Sequence, residues 1–247
     1  MQAWVRLTEL LAALPLVIWI GWPPSYLVPW LIGAGAIHAL YQLTLTWSYT
    51  VSDFSVAYPL ARGATPLFTT VAGVLLLGDR PGLPMVAGVV LISFGILLLV
   101  RHRGIAKNGF VAAAAAALLT TCYSIVDAHG VRLAPQALVF VAWFFVADSV
   151  SMPLALIVRE RRAAGAALAR EWRVGITAGV LALCAFAPAL FAFRLAPVGA
   201  VSALRECSIL IGLALGGAML KEQIGRDRTF GAIAIFAGGL AIIGQSL

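Results

Sequence analysis

Charge is scarce in this chain. Asp, Glu, Lys and Arg together make up 11% of its 247 residues, where a soluble domain carries about a quarter. That scarcity excludes a water-exposed shell of ordinary polarity, and no polar stretch is long enough to fold as a domain of its own. Histidine is equally sparse: His38, His102 and His129 share no metal-ligand spacing, and Asp127 and His129, two apart, point to different faces of a helix. Neither a phosphate-cradling glycine loop nor a serine nucleophile elbow occurs. No bond chemistry, metal or organic cofactor is therefore expected. Cysteine is limited to Cys122, Cys184 and Cys207, all inside apolar runs, where they read as small buried hydrophobes rather than a disulfide framework. Also lacking are a basic run ahead of the first apolar stretch and an Ala-x-Ala type site after it. Met1 to Ile20 therefore reads as a retained helix, not a cleaved signal.

What the chain has instead is apolar length. Hydrophobic residues make up 62% of it and mean hydropathy is +1.00. Runs of about twenty apolar residues, enough to cross about 30 Å of hydrocarbon, occur at 4–21, 26–48, 54–77, 83–100, 109–128, 136–158, 174–193, 197–220 and 229–246. Turn signals such as Gly21-Trp22-Pro23-Pro24 and Gly78-Asp79-Arg80-Pro81-Gly82 separate them, as do charged segments such as Arg159-Glu160-Arg161-Arg162. Continuous apolarity with Gly, Ala and Ser throughout favours packed helices, whereas a membrane barrel needs short alternating segments. The expected fold is an all-α membrane protein of about nine transmembrane helices. Trp22, Trp30, Trp47 and Trp172 lie near span ends, where tryptophan anchors a helix at the interface.

Seventeen Lys and Arg against ten Asp and Glu give a net charge of +7. A nucleic-acid partner is not implied, because these charges fall in short loops between apolar runs. Sorted by side, Arg6, Arg101, Arg103, Lys107, Arg159, Arg161, Arg162, Arg170, Arg173, Lys221, Arg226 and Arg228 share one face, twelve of the seventeen. Arg80, Arg132 and Arg194 fall on the other. The positive-inside rule then puts the N-terminus in the cytoplasm of a multi-pass protein of the cell membrane, expected to be a bacterial inner membrane.

Displaced by 143 residues, the chain superposes on itself. Arg62 falls on Arg205, Thr65 on Ser208, Gly73 on Gly216, Leu77 on Leu220, Asp79 on Glu222, Gly88 on Gly231 and Gly95 on Gly238. Five crossings fit in that offset, and an odd number inverts the second copy relative to the first. Two inverted-topology repeats result, 1–104 with four helices and 105–247 with five, the arrangement of secondary transporters whose site lies near the midplane. The mate of the fifth span falls before Met1, so one helix of a five-plus-five design is expected to be absent. A truncated chain, a nine-helix variant and a partner supplying the helix all fit that expectation.

Ala57-Tyr58-Pro59-Leu60-Ala61-Arg62-Gly63 with Pro66, then Leu75-Leu76-Leu77-Gly78-Asp79-Arg80, Gly88 and Gly95, resembles the EamA-type drug/metabolite transporter superfamily. Ala196-Pro197, Ala203-Leu204-Arg205-Glu206, Leu220-Lys221-Glu222 and Gly231 stand where that family has its matching second motif. The resemblance implies a carrier of amino acids, nucleotide-type metabolites, sugars or drugs. It also implies a central cavity lined by the spans 26–48, 54–77, 109–128, 174–193 and 197–220.

A charge within the bilayer costs roughly 2.5–3.5 kcal/mol on insertion scales, so such groups face a cavity or a partner. Arg62, Arg205 and Glu206 are the leading candidates. In one reading the two arginines attract an anionic or zwitterionic substrate group. In the other, one of them pairs with Glu206 and pins two helices, or snorkels to the headgroups. Glu206 is also a candidate to exchange a coupling proton. Tyr41, Trp47, Tyr58 and Tyr123 supply polar tips and rings, and Pro59, Gly63 and Pro66 are expected to interrupt the third span beside the site. His38 shares a face with Tyr41 and reads as a helix-to-helix hydrogen bond ahead of a proton relay. Asp127 either pairs with Arg132, the favoured reading, or faces the cavity mouth, Asp148 has no partner legible in the sequence, and Asp79 and Glu222 read as helix-end contacts. A secondary carrier of a small polar metabolite or drug is the expected function, with a second copy or another chain as possible partner. The alternatives are a structural membrane subunit or a lipid-linked flippase of the same fold.

Overall fold

The computed structural model describes residues 2–51, 54–99, 107–151, 153, 157, 164–211 and 226–244. Side chains are described within these ranges except at 49–51, 54–60, 164–170 and 228. Among the described residues the chain is helical throughout. The helices are α1 (Gln2–Ile20), α2 (Val28–Val51), α3 (Phe54–Leu77), α4 (Leu83–Leu98), α5 (Lys107–Leu133), α6 (Ala137–Ser149), α7 (Ala164–Leu195), α8 (Val198–Glu206) and α9 (Arg226–Gly244). Four stretches, Gln2–Ile20, Ser25–Ser48, Lys107–Leu133 and Glu171–Leu195, are long and apolar enough to cross a membrane. Ala61–Leu77, Leu83–Leu98, Ala137–Ser149 and Thr229–Gly244 are shorter apolar helices. This is an all-α membrane protein, as its composition requires: in hydrocarbon each backbone N–H and C=O must find its partner inside the chain, and a helix provides that locally.

The turns fall where glycine and proline put them. Gly21 ends α1 at φ +81° and donates its N–H to Val17 O at 2.9 Å. Gly78 ends α3 at φ +69°, a left-handed conformation that glycine reaches without steric cost. Pro84 sits in the first turn of α4, where its missing N–H has no helical partner to lose. Several boundaries differ from the hydropathy reading, and α6 ends at Ser149 and α8 at Glu206, inside the spans read as 136–158 and 197–220. Helix α5 continues five residues past position 128 and α7 begins ten before position 174, because a helix does not stop where its apolarity does. The expected interruption of α3 at Pro59, Gly63 and Pro66 is also absent, and the helix runs unbroken from Phe54 to Leu77. Proline removes one backbone bond per ring, and here threonine hydroxyls bond nearby carbonyls: Thr65 that of Ala61, Thr69 and Thr70 that of Pro66.

The helices group into two compact units, one of residues 1–40 with 126–195, the other of 41–125 with 196–247. In the first, α1 packs against α6 and α7. Gly175 and Gly179 lie under Trp4 and Thr8, so close that a Cβ at either would stand within 2.6 Å of the opposing side chain. In the second, α4 packs along α9 and α3 packs against α4 and α8.

The α4–α9 contact carries the repeat in its geometry. A Cβ at Gly95 would lie 2.6 Å from Gly231 O and 2.8 Å from Ile235 Cγ1, and one at Gly238 would lie 2.6 Å from Gly88 O and 2.8 Å from Ile92 Cγ1. Shifting the α4 number up by 143 and the α9 numbers down by 143 turns one set into the other. The same exchange relates Gly88 against Ile242, at 2.7 Å, to Gly231 against Leu99, at 2.8 Å. Such pairing is what a local two-fold axis between antiparallel copies produces, and small residues let the backbones close up where lipid gives helices no apolar drive to associate. Gly95→Ala and Gly238→Ala are therefore expected to lower the melting temperature of the purified protein by similar amounts. Melting curves in detergent check this, and a large effect at one position with none at the other contradicts the two-fold.

Candidate functional site

Both units bury charge. In the second unit, α3 presents Arg62 and the last turn of α8 presents Arg205 and Glu206. Arg62 Nη1 donates to Glu206 Oε1 at 2.8 Å, with the arginine side chain 23% exposed and the carboxylate 6%. The pairing reading of these residues is thus present in the structure, with Glu206 the buried member and Arg62 the more exposed one. Arg205 is half-buried one residue before Glu206. Under the 143-residue offset Glu206 corresponds to Gly63, so the second repeat's carboxylate has no counterpart in the first. A Cβ at Gly63 would stand 3.2 Å from the Leu97 side chain. The ion pair breaks the symmetry of the glycine crossing beside it.

The remaining sequence candidates divide. Tyr41 on α2 and Tyr123 on α5 meet edge to face with centroids 5.3 Å apart, and Tyr123 is buried. Trp47 is exposed. Gly63 and Pro66 are buried in α3. The side chains of Tyr58 and Pro59 lie outside the described residues. Asp79 does what a helix-end residue should: its Oδ2 accepts the N–H of Val198 at 2.7 Å, capping the first turn of α8. Glu222, its mate, lies outside the described residues.

In the first unit three sequence readings change. Arg6, assigned above to the basic cytoplasmic face, is buried: its Nη1 contacts Glu9 Oε2 at 2.6 Å and also pairs with Asp148 Oδ2. Removing it leaves eleven basic residues on that face, so the charge bias persists. Asp148, fully buried on α6, has its partner in Arg6 on α1. Asp127 pairs with His38 Nε2, its Oδ2 at 3.0 Å, a partner the sequence reading did not name. Arg132 Nε donates to the carbonyl of Phe193 at 2.8 Å, on α7. His38 thereby makes the helix-to-helix bond expected of it, with its ring edge-on to Phe144 at 4.9 Å and to Phe186 at 5.4 Å. Glu9 was not singled out by the sequence. The signal was there, since an Arg and a Glu three apart inside an apolar run share one helix face.

Among the described residues no group of three His, Cys, Asp or Glu side chains is placed to hold a metal ion. What the two units offer is charge without a reacting constellation: a guanidinium–carboxylate pair on α3 and α8, and a buried ionic cluster spread over α1, α2, α5 and α6.

The EamA-like transporter family model matches residues 107–244, more than half of the chain. The chain belongs to the EamA-like transporter family. It is a membrane transporter of the drug/metabolite transporter type, and the motifs that carried the resemblance fall in both repeats. A solved structure titled only as the crystal structure of a protein is similar in fold, one of thirteen matching chains. It has a TM-score of 0.75 at 18% identity, covering 98% of this chain and 87% of that one. No curated protein matches. Transporters of the EamA-like family move solutes rather than transform them.

Proposed function

We propose that this chain is a secondary carrier of a small polar metabolite or drug in a bacterial inner membrane, alternating access at a cavity between its two inverted repeats. The observation that carries the reading is the two-fold exchange of contacts between α4 and α9. A pair of inverted copies about a local axis is what lets one site open to either side by a symmetric rocking of the repeats. The site we assign is the region of Arg62, Arg205 and Glu206, with Tyr41, Trp47, Tyr58 and Tyr123 as neighbouring rings. A guanidinium that stays part-exposed beside a buried carboxylate favours a substrate with both an anionic group and a donor, such as a zwitterion. Arginine suits the anionic end because its planar fork matches a carboxylate or phosphate in two bonds.

The experiment is a metabolite screen on cells with and without the chain, following uptake and efflux together. One or a few small polar compounds should change in intracellular level, in the same direction and without any change in their chemical form. A chain that acts only as a structural subunit leaves the metabolite profile unchanged.

A further inference from the structure

The carrier site leaves one built feature unused, the buried ionic cluster of the first unit. Arg6, Glu9, His38, Asp127 and Asp148 come from α1, α2, α5 and α6, and each is at least nine-tenths buried. Three contacts run among them: Arg6 bridges Glu9 and Asp148 through one nitrogen, and His38 holds Asp127. His38 is also near enough to Glu9 to act on its charge. These five side chains carry three carboxylates and one permanent cation. With a neutral imidazole they hold two more negative charges than positive ones. Burial makes such an excess expensive, and Asp148 Oδ1 adds to the cost, since it has no hydrogen-bond partner among the described residues. Proton uptake removes the imbalance: one proton on the imidazole and one on a carboxylate bring the five to neutrality.

Helix α7 faces His38 with Phe186. Its described charged side chains lie elsewhere: Glu171 and Arg173 are exposed, and Arg194 donates to the carbonyls of Val131, Ala134 and Pro135 at the far end. On α5, Arg132 bonds the Phe193 carbonyl and His129 stacks on Trp30 with centroids 4.1 Å apart. The wall around His38 is otherwise aromatic, built from Phe144 and Phe186.

We propose that the Arg6–Glu9–Asp148 and His38–Asp127 cluster is a proton-binding site, separate in residues from the substrate site, and that its proton drives the carrier. Binding of the proton rests on the cluster alone, while its use in coupling rests on the carrier reading above. The step is a simple association: a proton from water joins a lone pair on the imidazole or a carboxylate oxygen, and leaves by the reverse. No electrons move. An imidazole in the cluster suits the task because histidine changes charge within the cell's pH range.

The test reads protonation without any substrate. The purified full-length chain is reconstituted in vesicles of phosphatidylethanolamine and phosphatidylglycerol, and infrared difference spectra are recorded between about pH 8 and pH 5. In the native chain a buried carboxyl C=O band, an imidazolium band, or both should grow as pH falls. In Glu9→Gln and His38→Gln, which keep hydrogen-bonding groups but lose a titrating one, the band should disappear or its midpoint move by more than about one pH unit. A native spectrum with no such change overturns the proposal even if neither variant folds, and so does a titration identical in both variants. A second arm follows the metabolite found by the cell screen with a protonophore added. Loss of its accumulation supports coupling, and unchanged flux overturns coupling while the carrier stands. If no metabolite moves, the carrier reading fails and the infrared arm still judges the proton site.

Discussion

Arg6→Gln is expected to deplete the folded protein from the membrane. Its guanidinium is the one permanent cation among the five clustered side chains, with its side chain 8% exposed and those of Glu9 and Asp148 2% and 1%. Taking it away leaves two carboxylates buried beside each other between α1 and α6. Breaking a buried ion pair by removing one partner costs about 3–5 kcal/mol, chiefly because the remaining charge is left uncompensated. That is a large share of the stability of an ordinary domain, about 5–15 kcal/mol. The measurement is the amount of monodisperse protein extracted from membranes, and its melting temperature, for Arg6→Gln beside the native chain. A companion variant separates charge from packing: replacing Arg6, Glu9 and Asp148 together by Leu removes all three charges, and should recover much of what Arg6→Gln loses. Native yield and melting for Arg6→Gln would show that these contacts do not hold α1 to α6.

The outcome of that experiment also bears on what a sequence discloses. The helices were legible because hydropathy over about twenty residues is a local property, and the solvent imposes it residue by residue. Gly88, Gly95, Gly231 and Gly238 were legible as equivalents because a repeat leaves its trace at a fixed offset. That Gly88 faces Gly238 and Gly95 faces Gly231 follows once the second copy is inverted, since inversion pairs the early glycine of one helix with the late glycine of the other. Asp79 was legible as a helix-end residue from its place after Gly78, though not that the helix it caps is α8.

Partners across helices were not legible. His38 and Asp127 are 89 residues apart, Arg6 lies on α1 and Asp148 on α6, and no periodicity within either segment encodes which faces meet. Local proximity does not disclose such contacts. Arg132 lies five residues from Asp127, and its side chain also reaches a carbonyl near the end of α7. Arg6 lies near the chain start and looked like an interfacial cation, although Glu9, three residues on, shares its face. The third span was read as interrupted because each proline frees a backbone carbonyl that lipid cannot satisfy. Inside the protein the helix continues through Pro66, with Thr65, Thr69 and Thr70 bonding carbonyls in the same stretch.

The second large effect belongs to the substrate site. Arg62 and Arg205 are equivalent under the 143-residue repeat and stand on α3 and α8, which pack together; Arg62 pairs with Glu206, which falls on Gly63 under the same offset. A hydrogen bond to a charged group contributes about 1.5–3 kcal/mol, so losing one from a bound substrate should slow transport about tenfold to a hundredfold. Lysine keeps the charge of arginine but not its planar fork, so Arg62→Lys should fall with Arg62→Gln if the substrate is held in two bonds. A structural role has a different signature. A variant that only breaks the pair with Glu206 lowers the amount of protein in the membrane, and each molecule that does insert works normally.

The measurement is therefore transport per inserted molecule, of the compound the metabolite screen identifies, for Arg62→Gln, Arg205→Gln and Arg62→Lys beside the native chain, with the membrane level of each variant determined in the same cells. A carrier that binds its substrate at these arginines loses about tenfold or more per molecule in all three. Native transport per molecule in all three would contradict the substrate site and leave Arg62, Arg205 and Glu206 as pins between α3 and α8.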